Sequence, residues 1–112
     1  MKKTKSMVYN PSTAARELYL YATNNSTVYN RRIAAIEKNL KKKLDRGVYD
    51  HEKAATAFYY AADEASRLYN IDFGYAFSVT DRYTAAVDMA DDFLLENCTP
   101  EKAAQLHAVK IA

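Results

Sequence analysis

The sequence predicts an all-α protein, a compact bundle of four main helices plus a short C-terminal helix. Three observations predict it. Two glycines and two prolines in 112 residues are too few for a turn-rich β protein. Apolar residues recur at three- and four-residue spacing in successive segments. Helix start and stop residues bracket those segments. The length suits one domain with one core, so residues 1–112 read as a single helical domain. An apolar share of 49% and a charged share of 27% belong to a globular chain, not a disordered one.

The first helix is expected from Pro11, with Asn10 as its cap, to about Ala22, stopping in Thr23-Asn24-Asn25-Ser26. The second runs from Ser26 or Thr27 to Arg46, with Gly47 as its stop. Its stripe is Tyr29, Ile33, Ile36, Leu40 and Leu44. Asp50 caps the third helix, whose inner face is Ala54, Phe58, Ala61, Ala62, Ala65, Leu68 and Tyr69. Val48 and Tyr49 are expected to pack across the joint between these two helices, an antiparallel hairpin. Asn70 to Phe77 breaks the pattern and reads as a loop with apolar anchors. Ser78 or Thr80 starts the fourth helix, with Tyr83, Ala86, Val87, Ala90, Phe93 and Leu94 inward and an end near Asn97. Thr99-Pro100-Glu101 starts the short fifth helix.

Residues 1–8, with Lys2, Lys3 and Lys5, are expected to form a mobile basic tail. The tail resembles the start of a signal peptide, but Asn10 to Thr13 interrupt the apolar stretch that would have to come next. No run of about 18 apolar residues exists, so no membrane span and a cytoplasmic setting are expected. One cysteine, Cys98, excludes an internal disulfide and any multi-thiolate metal site.

Charge divides the chain at Gly47. Residues 1–46 carry a net +8 and residues 47–112 a net −6, which together give the overall +2. On the second helix Arg31, Lys38, Lys42 and Arg46 lie opposite the apolar stripe, and Arg32, Lys41 and Lys43 widen that basic face. On the fourth, Asp81, Asp88, Asp92 and Glu96 form an acidic face. If both stripes bury in one core, both ridges face solvent, remain too far apart to pair, and are available to a partner. A basic helix with a basic tail is the electrostatic footprint of nucleic-acid binding, and Tyr9, Tyr21 and Tyr29 offer stacking surfaces.

Catalytic and cofactor chemistry is not visible. His51 reads as an exposed first-turn residue, His107 has no evident partner, and Cys98 reads as an inert thiol. Asp88, Asp91 and Asp92 form an acidic cluster without the second cluster that a magnesium site adds. With only Gly47 and Gly74 there is no phosphate-binding glycine loop. No catalytic residue, cofactor, metal or small-molecule substrate is therefore assigned.

The stretch from Asn39 through Arg46-Gly47-Val48-Tyr49-Asp50 to Ala54, with Phe58-Tyr59-Tyr60 and Ala65 to Tyr69, resembles a group of short, all-helical, uncharacterised proteins of phage and mobile-element genomes. The resemblance spans roughly residues 28–95 and implies a helical fold and a phage-like origin, with no activity attached. Three functional expectations result. The first is a small non-enzymatic accessory protein that binds a macromolecular partner through its charged faces, such as an inhibitor of a host or defence complex. The second is a nucleic-acid-binding protein using the basic helix. The third is an assembly protein that oligomerises by meeting a basic ridge with an acidic one.

Overall fold

The computed structural model describes residues 11–111, with side chains from Thr13 to His107; the expected N-terminal tail and Tyr9 lie outside them. Among the described residues five helices succeed one another: α1 (Pro11–Asn24), α2 (residues 26–46), α3 (His51–Phe73), α4 (Val79–Asn97) and α5 (Pro100–Ile111). The all-α bundle is as the sequence predicts. α3, α4 and α1 pack mutually as its centre, and α2 lies along their flank.

Alanine sets that packing. Ala14, Ala15 and Ala22 of α1, Ala54, Ala55, Ala61, Ala62 and Ala65 of α3, and Ala85, Ala86 and Ala90 of α4 are all buried. A methyl group lets two backbones approach closely, and larger side chains then fill the spaces between contacts. Phe58, Phe93, Leu18, Leu94 and Val28 do so.

A single residue turns α1 into α2. Asn25 is extended, and its side chain accepts the Val28 N–H at 3.1 Å. α2 is not uniform. An α-helical turn, Ser26–Val28, leads into a π-helical segment, Tyr29–Ile33, and then into α-helix Ala34–Arg46. The Ala34 N–H bonds the Tyr29 carbonyl five residues back. This extra residue rotates the first turn of α2 by about 100° relative to the segment after Ile33. The buried stripe accordingly runs Val28, Ile33, Leu40, with a step of five at the π turn. Tyr29, expected on the stripe, is instead 42% exposed.

The α2–α3 joint closes as a Schellman motif. Gly47 takes φ +74°, its N–H bonds the Leu44 carbonyl, and the Val48 N–H bonds the Lys43 carbonyl. Asp50 then caps α3, accepting from the Glu52 and Lys53 N–H groups at 3.0 and 3.1 Å. Tyr49 is half-buried, but Val48 points to solvent rather than across the joint.

α3 continues through Asn70–Phe73, where the sequence pattern predicts a loop. Gly74, at φ +70°, supplies the stop four residues later than expected, with its N–H on the Asn70 carbonyl at 2.8 Å. Of the expected apolar anchors Phe77 is buried, whereas Ile71 and Phe73 are exposed. Arg82 holds the connection, donating to the Phe77 carbonyl at 3.1 Å and to the Tyr59 hydroxyl at 3.2 Å. Ser78 caps α4 and Thr99 caps α5 through side-chain bonds to Asp81 and Lys102 N–H groups. Tyr83, expected inward, is exposed, and Val87 is only half-buried.

A Cβ added at Gly47 meets nothing within 4 Å, so replacing this glycine strains the backbone alone. Gly47→Ala is expected to cost about 1–2 kcal/mol through its left-handed conformation. Gly47→Asn should retain most of the stability, because Asn tolerates that region. Thermal unfolding of the two variants checks the difference.

Candidate functional site

The π turn divides the basic face of α2 into two sets. Arg31 and Arg32, inside the π segment, turn toward α3. The Arg32 Nε donates to Glu64 Oε1 at 2.6 Å, and an Arg31 nitrogen lies 3.5 Å from Glu64 Oε2. Glu64 is buried. The Arg32 hydrogen bond holds its carboxyl below the ordinary 4.5; burial works against this, and the charges of Arg31, Arg32 and Arg67 assist it. These two arginines are therefore held by Glu64 rather than left for a partner, and the two charged halves of the chain do pair.

Beyond the π turn the other set stands free. Lys38, Lys41, Lys42 and Arg46 are exposed and Lys43 is half-buried. Among the described residues none of the five makes an ion pair within 4 Å, whereas Arg31, Arg32, Arg67 and Arg82 all do. Lys38, Lys41 and Lys42 edge an open cleft of about 590 Å³ between α2 and α4, floored by Phe93 and faced by Glu37 and Glu96. Burial, and then the neighbouring Glu96 charge, push the Glu37 carboxyl up.

The expected acidic ridge on α4 does not face solvent as a unit. Asp81 is buried at the first turn, with its Oδ1 lacking a hydrogen-bond partner among the described residues. Asp88 and Asp92 are half-buried, and the Tyr19 hydroxyl of α1 donates to Asp92. Burial raises both carboxyls; Asp91 adds to the rise at Asp88, and Arg16 pulls both back. Only Glu96 of the four is exposed. The physical reason is α1, which packs along this side of α4 and brings Arg16 and Tyr19 to it.

Tyr21 is no free stacking platform. It meets Tyr69 and Phe73 edge-on and donates to Asp72 at 3.0 Å. Tyr29 retains an exposed ring.

A second constellation escapes sequence reasoning. His51, at the first residue of α3, is 2% exposed rather than solvent-facing. Its Nε2 lies 2.7 Å from Asp91 Oδ1 on α4, and its Nδ1 lies 2.7 Å from the Tyr49 hydroxyl. His107 of α5 is not isolated. Its ring is 4.9 Å from that of His51, and its Nε2 is 3.6 Å from Asp91 Oδ1. Burial, followed by the Asp91 charge, raises the Tyr49 phenol well above its usual value, so Tyr49 is neutral. The only signal in the sequence is a histidine beside a helix cap, and its partner is forty residues away.

Among the described residues no helix is long and apolar enough to cross a membrane. Compared with protein-family models, with curated proteins and with solved structures, the chain gives no match.

The Glu64 pair makes a pH-dependent prediction. A carboxyl lowered by folding contributes stability above its unfolded pKa, and loses it as pH falls through the lowered folded value. Glu64→Gln should lower the Tm at pH 7, and the gap from the wild type should narrow as pH is taken below the ordinary 4.5. Thermal melts across that range measure it.

Proposed function

We propose that the protein is a non-enzymatic nucleic-acid-binding module that grips a phosphate backbone with residues 38–46 of α2. The observation that carries this reading is the clustering of unpaired cations: of the described Lys and Arg side chains without an ion pair, only Arg16, Lys53 and Lys102 lie outside residues 38–46. Every described arginine that ion-pairs does so outside this segment, while Lys38, Lys41, Lys42 and Arg46 remain exposed and unpaired on one side of it. A helix spaces these residues over about 12 Å. Cations so arranged displace condensed counterions from a phosphate chain, and that release drives sequence-independent affinity. Outward lysines with no fixed partner suit phosphate positioning more than base reading.

Fluorescence anisotropy with labelled DNA and RNA tests the reading. About four phosphate contacts predict a slope near −3.6 for log affinity against log salt on duplex DNA. Lys38→Glu combined with Lys42→Glu should abolish binding while leaving the melting curve close to wild type. Absence of binding at about 50 mM salt, where such contacts are strongest, overturns the reading.

A protein partner, as an accessory or inhibitory protein would have, is the second reading. One observation favours it: Leu20 and Phe73 are exposed apolar side chains that line an open pocket where the end of α1 meets the end of α3. If that patch mediates self-association, light scattering should report a dimer that Phe73→Ser converts to a monomer. A wild-type monomer at all concentrations removes the self-association form.

A further inference from the structure

We propose that His51, Asp91 and His107 form a binding site for one divalent first-row transition metal ion, zinc above all, and that the ion fastens α5 to α3 and α4. The ligating atoms come from three helices and all lie within 4.8 Å of one another. Ligands about 2.0–2.1 Å from a tetrahedral ion are separated by about 3.3 Å. The two distances to Asp91 Oδ1, 2.7 Å from His51 and 3.6 Å from His107, straddle that value. The two imidazoles, at most 4.8 Å apart at their ligating atoms, close on an ion by side-chain rotation of the partly exposed His107.

The chemistry of the donors selects the ion. Two imidazoles and one carboxylate suit zinc and its neighbours, whereas magnesium and calcium demand oxygen ligands. The surroundings supply what such a site needs. His51 is buried and its second nitrogen already meets the neutral Tyr49 hydroxyl, the outer contact that fixes a ligating imidazole. Without metal the His51 Nε2–H donates to Asp91, and Nδ1 accepts from Tyr49. With metal Nε2 is a ligand, the imidazole proton sits on Nδ1, and Nδ1–H donates a hydrogen bond to the Tyr49 oxygen. Asp91 offsets one charge of the dication, and the remaining one lies at the partly exposed side of the site.

Access is also present. Asp91 and His107 are partly exposed and line a pocket of about 280 Å³ whose other walls include Leu94, Leu95 and Ala103. Three protein ligands leave a fourth position for water. The same ion ties the first turn of α3, the middle of α4 and the second turn of α5. Of the described α5 side chains only Ala103 is buried, with Leu106 and His107 half-buried, so an ion at His107 reinforces a small apolar contact.

The test is calorimetric titration of the untagged, metal-free chain with zinc chloride, repeated with magnesium chloride. One zinc per chain and no magnesium binding are expected. His107→Ala and Asp91→Asn should each weaken zinc binding at least tenfold, roughly the loss that even outer-contact mutations cause. His107 is partly exposed, so its removal leaves the core intact; circular dichroism verifies the fold. Cys98→Ser should leave zinc affinity unchanged. Cobalt substitution should give the visible bands of a tetrahedral site, and they should vanish in His107→Ala. No zinc binding, binding indifferent to His107 and Asp91, or binding lost in Cys98→Ser alone overturns the proposal.

Discussion

Close approach of α1, α3 and α4 across buried alanines is the constraint on which the remaining architecture rests. Helices that meet through methyl groups leave little interior volume, and only a few large side chains fit between them. Four tyrosine rings lie at the seams. There each ring covers the core edge while its hydroxyl reaches a polar group: Tyr19 to Asp92, Tyr21 to Asp72, Tyr49 to His51, Tyr59 to Arg82. The tyrosine-rich composition is thus the counterpart of the alanine-rich interior. Carboxylates on the packed side of α4 are accommodated for the same reason, since α1 supplies Tyr19 and Arg16 against them.

Charge is sorted by this packing. Arg31 and Arg32 neutralise the buried Glu64, and Arg67 and Arg82 neutralise Asp63. Among the described residues, most cations without an ion pair lie where α2 runs past the central helices, with Arg16, Lys53 and Lys102 elsewhere. The polarised composition therefore divides into an internal, structural portion and an outer one on residues 38–46.

Helix ends are legible in the sequence because their chemistry is local. Asp50, Ser78 and Thr99 cap where their side chains can reach a nearby N–H, and Gly47 ends α2 because its left-handed conformation excludes most other residues. The α3 end is misplaced because the Asn70–Phe73 pattern looks irregular, while Gly74 holds the decisive backbone conformation. The π turn is not legible at all: a step of five between Val28 and Ile33 is visible only once Val28 is known to be buried. Most of the candidate basic face, Lys38, Lys41, Lys42 and Arg46, lies where helical spacing places it. Arg31 and Arg32 do not, since that spacing assumes a uniform pitch. The His51–Asp91–His107 joint depends on three helices converging, which no local pattern encodes.

The π turn also bears on how this chain can change over generations. It uncouples the angular phase of the two parts of one helix. Val28, Arg31 and Arg32 answer to the interior and to Glu64, so substitutions there are tested by folding. Lys38, Lys41, Lys42 and Arg46 answer to whatever lies outside. Residues on the outer segment can therefore drift toward a new ligand without disturbing the register that holds the bundle. A one-residue deletion within 29–33 would remove that freedom by locking both segments to a common pitch.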